Sequence, residues 1–175
     1  YTLSDDQIID AAKFAYTNQF GSIVLQSGEL QSAAFTKKIS TVLTKIHQAT
    51  NNALRVTLSC GEQSSDTYKA WFNSGAHRYL LRIESSNPLL YAKIHPNNSQ
   101  HSHKTRLLAI EALKTIGYQV GSGVMIGLPY QTIADLSNDL LWLKNTDIDM
   151  VGMGPYIPHS QTPLCAEPSF LTTPE

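Results

Sequence analysis

The stretch "QVGSGVMIGLPYQTIADLSNDLLWLKNTDIDMVGMG", residues 119–154, decides the fold. Residues 119–127 form a short apolar run and read as a strand. Thr132 and Asp135 stand three apart, as in a capping box, and Ile133, Leu136, Leu140 and Leu143 follow at helical spacing. Residues 149–154 read as a second strand. Strand, helix and strand in this order make a right-handed βαβ unit with parallel strands.

Working outward, the same alternation recurs. Ser4 and Gln7 form a capping box ahead of Ile8, Ile9, Ala12, Ala15 and Tyr16, a helix predicted to stop near Phe20 and Gly21. A strand over 22–26 follows, then a helical stripe of Ile39, Val42, Leu43 and Ile46. Residues 54–59, "LRVTLS", are rich in strand formers. A short helix carries Tyr68, Trp71 and Phe72 and ends at Gly75. Residues 77–84, "HRYLLRIE", read as a strand, and Leu107, Ile110, Leu113 and Ile116 as the helix after it. The expectation is an α/β fold, with an open doubly wound sheet or a partial (β/α)8 TIM-type barrel of about five consecutive βα units as its two forms. No Gly-x-Gly-x-x-Gly opens a helix after a strand, which disfavours the dinucleotide-binding sheet.

Composition narrows the function. The 175 residues are 42% hydrophobic and carry a formal net charge of -1. That balance, without a basic run, excludes a nucleic-acid footprint, and no apolar run is long enough for a membrane span. Cys60 and Cys165 have no metal-ligand spacing, so a reducing, cytoplasmic setting is expected. The opening "YTLSDDQ" and closing "LTTPE" suggest part of a longer protein.

Each expected strand ends in polar residues. The tips are Gln26-Ser27-Gly28-Glu29, Ser59-Cys60-Gly61-Glu62, Arg82 with Glu84, Gly127-Leu128-Pro129 and Gly154-Pro155-Tyr156. In a parallel barrel the carboxyl ends of the strands build the site. Arg82 and Glu84 stand two apart and share one side of their strand, where they are costly unless paired or bound to something polar. Taken alone, they read equally well as a structural ion pair, and Arg106 alone as a solvated helix residue.

The segments "IVLQSGE", "RYLLRIESSNPLLYAKIHP", "GSGVMIGLPYQTIADLSNDLLWLK" and "DIDMVGMGPYIPHSQTPL" together resemble the HydE family of [FeFe]-hydrogenase maturases. These are radical S-adenosylmethionine (SAM) enzymes close to biotin synthase and methylornithine synthase, whose activities remain the alternatives, with a non-catalytic barrel fragment. The resemblance implies a (β/α)8 barrel, SAM and a [4Fe-4S] cluster as cofactors, and a 5'-deoxyadenosyl radical acting on a small iron-cysteine or thiolate substrate in H-cluster maturation. It makes residues 1–175 the central part of the barrel domain, with other hydrogenase maturases as partners and no nucleic acid or membrane. The family's C-x-x-x-C-x-x-C cluster loop is absent, and Tyr1 stands about where the following helix would begin, so the isolated chain is expected to be inactive; five strands without a first or last neighbour would leave two exposed sheet edges, so it is also expected to aggregate.

By the same resemblance Gln26, Ser27, Gly28 and Glu29 receive the methionyl ammonium of SAM. Glu84 takes its ribose or amine, Arg106 its carboxylate, and Met125 and Leu128 line its adenine. Thr57, Arg82 and Met150 face the substrate. His101 and His103, in "HPNNSQHSH", read as a polar surface loop and not a metal site. His159 reads as a loop residue, and Trp71 and Trp142 as packing.

Overall fold

A computed structural model of the protein describes residues 2–96, 98 and 101–167. Tyr1 and the closing "LTTPE" lie outside the described residues. The fold is α/β, of the partial (β/α)8 type. In chain order its elements are α1 (Asp5–Thr17), β1 (Ser22–Gln26), α2 (Ala33–Ala49), β2 (Arg55–Ser59), α3 (Ser65–Asn73), β3 (Arg78–Leu80), α4 (Pro88–Ile94), α5 (His103–Ile116), β4 (Gln119–Ile126), α6 (Ile133–Asn145) and β5 (Met150–Pro155). The strands are neighbours in sequence order, β1-β2-β3-β4-β5. Two compact units divide the chain: residues up to Leu81 with Ala109–Val120, and Arg82–Leu108 with the chain from Gly121 onward.

In the first unit β1 and β2 pair in parallel from Ser22↔Arg55 to Gln26↔Ser59, and β3 joins at Thr57↔Arg78. The stripe foreseen on α2, Ile39, Val42, Leu43 and Ile46, is its buried face, whereas of the stripe foreseen on α1 Ile9, Ala12 and Ala15 are buried, Ile8 is half-buried and Tyr16 is exposed. An aromatic core fills the space behind β3. Tyr79 meets Tyr68 edge-on at 5.0 Å and Tyr118 at 5.7 Å, arrangements worth about 0.5–1.5 kcal/mol each beyond area burial. Trp71, fully buried, donates its indole N–H to Thr36 O at 3.0 Å. α1 ends at Thr17, three residues before the expected Phe20, because Asn18 turns its own N–H and its side-chain amide back onto Phe14 O.

In the second unit β4 and β5 run in parallel from Gly121↔Met150 to Ile126↔Pro155. A Cβ on Gly123 would sit 1.7 Å from Gly152 O, so a glycine is required where these backbones meet. Three readings need correction here. The sequence reading has no helix at 88–94, yet Asn87 caps α4 through Leu89 N–H, with Pro88 at its first position. The expected strand over 77–84 stops at Leu80. Beyond it side chains take the ladder groups: Arg82 O accepts from Arg106, Ile83 N–H donates to Ser122 Oγ, and only Glu84 makes a bridge, to Val124. Finally, the stripe on α6 is only in part its buried face, Leu143 being buried and Leu136 half-buried. Ile133 is 68% exposed and Leu140 51%, whereas Asp135, Asp139 and Leu143 are buried. The two carboxylates face inward because donors from the 85–87 segment await them.

Candidate functional site

In the first unit, the tips of β1 and β2 are tied together by uncharged groups. Ser27 N–H donates to Ser59 O, and the Gln63 amide donates to Leu30 O and Cys60 O at 3.1 and 2.9 Å. Tyr79 OH donates to Gly61 O at 2.9 Å. Gly61 adopts a left-handed φ of +69°, and a Cβ there would lie 2.2 Å from Glu29 Cγ, so the Glu29 side chain crosses over this glycine. Gln26, Gly28 and Glu29 are exposed, Ser27 is half-buried, and the space beside Gly28 is open. Thr57 is buried in β2, paired with Val24 and Arg78 across the two ladders. The sequence reading passed over Gln63 and Tyr79, which hold this tip. Gln63 directly follows the second of these tips in the chain, whereas Tyr79 lies in β3 and only the fold brings it to them.

Charge is concentrated in the second unit. Arg82 Nε lies 3.0 Å from Glu84 Oε1, off the hydrogen-bonding direction, so the contact is an ion pair and not a hydrogen bond. Glu84 Oε2 and Arg82 Nη2 are buried without a hydrogen-bond partner. Glu84 itself adopts a left-handed φ of +61°, a conformation a glutamate holds only where its surroundings impose it. Its N–H donates to Gly123 O at 3.0 Å. Burial pushes the Glu84 carboxyl above the ordinary carboxylate range, against the opposing pull of the Arg82 and Arg106 charges and a bond from Met125 N–H.

Arg106 is not a solvated helix residue. It is 6% exposed. Its Nη1 donates to Arg82 O at 2.5 Å, and its guanidinium stands over the Tyr91 ring, 5.9 Å from the centroid. The structure therefore brings Arg82, Glu84 and Arg106 together, as two cations about one carboxylate.

The tip of β4 is held by Gln131, which is also absent from the sequence reading. Its Oε1 accepts from Gly127 N–H at 2.7 Å and Leu128 N–H at 3.2 Å, and its Nε2 donates to Met125 O at 3.0 Å. Leu128 is fully buried, Met125 half-buried, and Met150, at the start of β5, half-buried. A glutamine three residues after a strand-ending Gly-Leu was a signal available in the sequence.

The remaining candidates are quieter. His101 bonds Asn98, and His159 is exposed, its Nδ1 accepting from Gln161 N–H; His103, read as a surface-loop residue, instead begins α5, half-buried and with Nε2 buried without a hydrogen-bond partner. Among the described residues no group of three or more His, Cys, Asp or Glu is placed to hold a metal ion. Cys60 is 1% exposed, and burial pushes its thiol up against the bonds from Ser27 and Ser59. Among the described residues no helix is long and apolar enough to cross a membrane.

Over 169 residues the chain is 44% identical to the [FeFe] hydrogenase maturase subunit HydE of Thermotoga maritima, a match covering 95% of this chain. The chain belongs with the HydE-like radical SAM proteins. It spans 46% of that relative's length. No family model matches the chain. Among solved structures, methylornithine synthase (PylB) superposes with a TM-score of 0.84 at 22% identity, over 97% of this chain and 49% of that one. The maturase HydG superposes with a TM-score of 0.74 at 19% identity, over 96% of this chain and 39% of that one. At such identities the two structures establish the shared fold of this HydE-like chain and nothing finer.

Proposed function

We propose that this HydE-like chain is the central part of the barrel domain of a radical SAM enzyme of [FeFe]-hydrogenase maturation, acting on a small iron- and thiolate-bearing substrate. The observation that carries the reading is the second unit's cluster. Glu84 Oε2 is a buried acceptor with no donor, and Arg82 Nη2 a buried donor with no acceptor. Such atoms cost about 1–3 kcal/mol each unless a ligand satisfies them. A ribose hydroxyl meets the first need and a carboxylate the second.

These residues fit SAM. When bound, SAM supplies radical chemistry; this chain binds and orients it. In the second unit Glu84 would accept a ribose hydroxyl or the amine, the Arg106 guanidinium would meet the methionyl carboxylate, and Met125 and Leu128 would give apolar contact to adenine. Arg82, through Nη2, and Met150 would meet the substrate. For the first unit the proposal assigns Gln26, Ser27, Gly28 and Glu29 to the methionyl ammonium, with Glu29 as a natural acceptor, and Thr57 to a substrate hydrogen bond. An iron–sulfur cluster does not fit the residues present. Cys60 is buried with a raised thiol, Cys165 Sγ bonds Ser160 O, and no ligand set accompanies either among the described residues. The cluster's ligands, and contacts to other hydrogenase maturases, would come from the rest of the full-length protein.

The test is a SAM titration of the full-length, reconstituted protein by calorimetry. Arg106→Ala is expected to weaken binding by about 1–3 kcal/mol, as for a lost charged hydrogen bond. Unchanged affinity in a variant that melts normally rules the assignment out.

A further inference from the structure

Asp139 is fully buried on α6, and its side chain is poorly compensated. Oδ1 accepts two hydrogen bonds, from Ser86 N–H and Ser86 Oγ, both at 2.6 Å. Oδ2 is buried and accepts none. One helical turn earlier, Asp135 has an evident structural task. Its Oδ2 closes the cap of α6 on Thr132, and its Oδ1 receives the amide of Asn87, which caps α4. Asp139 caps nothing. A buried carboxylate whose hydrogen bonds come from one serine, with the His103 ring within reach of its charge, is weak as a stabilising device, and what its bonds fix is that serine.

Ser86 stands two residues after Glu84, whose left-handed φ is unfavourable for a glutamate. Before Glu84 the chain is held by Arg106 on Arg82 O and Ser122 on Ile83 N–H, and at Glu84 by Gly123 O. After it, Ser85 Oγ accepts from Asn87 N–H, the Ser85 backbone bonds the His103 ring, and the Ser86 N–H is held by Asp139.

We infer that Asp139 is a positioning residue: by locking Ser86 it holds Glu84 in its left-handed conformation and aims the unpaired Oε2 at a ligand hydroxyl or amine. The inference rests on the assignment of Glu84 to SAM but concerns a residue that touches no ligand.

The test uses the full-length protein and has two arms. The first is amide hydrogen exchange over residues 84–87 without ligand. Asp139→Ala should speed exchange there at least about tenfold, with Asp139→Asn, which keeps an acceptor oxygen, restoring most of the protection. The second is SAM affinity in a double-mutant cycle with Glu84→Gln. Asp139→Ala should weaken SAM binding about tenfold in the parent and less than about twofold in the Glu84→Gln background. Should Asp139→Ala fail to fold, Ser86→Ala, which removes the Oγ donor, takes its place in both arms. Unchanged exchange at 84–87 overturns the inference, as does an equal loss of affinity in both backgrounds, which a merely structural role would give. Glu84→Gln with unchanged SAM affinity overturns the assignment of Glu84 and the inference together, and the exchange arm then shows whether the lock itself exists.

Discussion

The tips of β1 and β2 and the segment after β3 meet the same problem, backbone that has left its sheet, by different chemistry. The first is closed by neutral donors, the Gln63 amide and the Tyr68 and Tyr79 hydroxyls, and Glu29 stays exposed. The second is closed by ions. Arg106 is buried on a carbonyl, Asp139 on a serine, and the Arg82–Glu84 pair keeps buried atoms without hydrogen-bond partners. Neutral bonds at a tip add stability at little risk. Buried ions cost desolvation and are retained where direction matters. On the proposed function, the first tip would be scaffold with an exposed edge for the ligand, and the second the place where ligand chemistry is spent.

The largest effect should come from the neutral region. Tyr79→Ala removes the centre of the aromatic core and a bond to Gly61 O, and should destabilise the full-length protein by about 3–5 kcal/mol in denaturant unfolding. A loss below 1 kcal/mol would break the contrast, since the core would then not depend on that ring. Gln131→Leu comes next. It strands two N–H groups and a carbonyl at the β4 tip, and a loss of about 1–3 kcal/mol is expected from the same measurement.

pH sharpens the comparison within the second unit. Glu84, raised by burial, binds its proton more tightly folded than unfolded. Its contribution is present below the unfolded carboxylate value and is lost as pH rises through the folded one. Asp135 is the opposite. Burial pushes its carboxyl up, but bonds from Asn87 and Thr132 outweigh burial and hold it low, so its contribution appears above the unfolded value and is lost as pH falls through the folded one. Thermal melts across the acidic range should show Glu84→Gln removing the loss on the rising side and Asp135→Asn the loss on the falling side. Identical profiles for both variants would contradict the two directions. The smallest effect belongs to the exposed Lys38–Asp5 pair, at 3.2 Å with both side chains 38% exposed; Lys38→Ala should cost less than about 1 kcal/mol.

The capping boxes at Ser4 and Thr132 were legible because each is written in residues three apart. So were the strands at 22–26 and 119–126, whose hydrophobic runs are local. The stripe on α6 was misread for a physical reason. Periodicity ranks Ile133 and Leu140 as buried and Asp135 and Asp139 as exposed, and it cannot know that Ser86 and Asn87, about fifty residues earlier, bring donors to those carboxylates. Read without the resemblance, Arg106 passed for a solvated helix residue for the same reason: the carbonyl that holds it belongs to Arg82.

The sequence by itself determined the alternation of strands and helices, and hence the parallel α/β fold, because hydrophobic period, caps and turn glycines act over a few residues. It also carried the HydE-like segments. Only the tertiary structure decided that Arg106 is buried, that Glu84 is left-handed with an unpaired oxygen, and that Gln131 and Asp139 face inward. Those outcomes depend on polar partners distant in the chain, and the cost of burying an ion is set by what the fold places beside it.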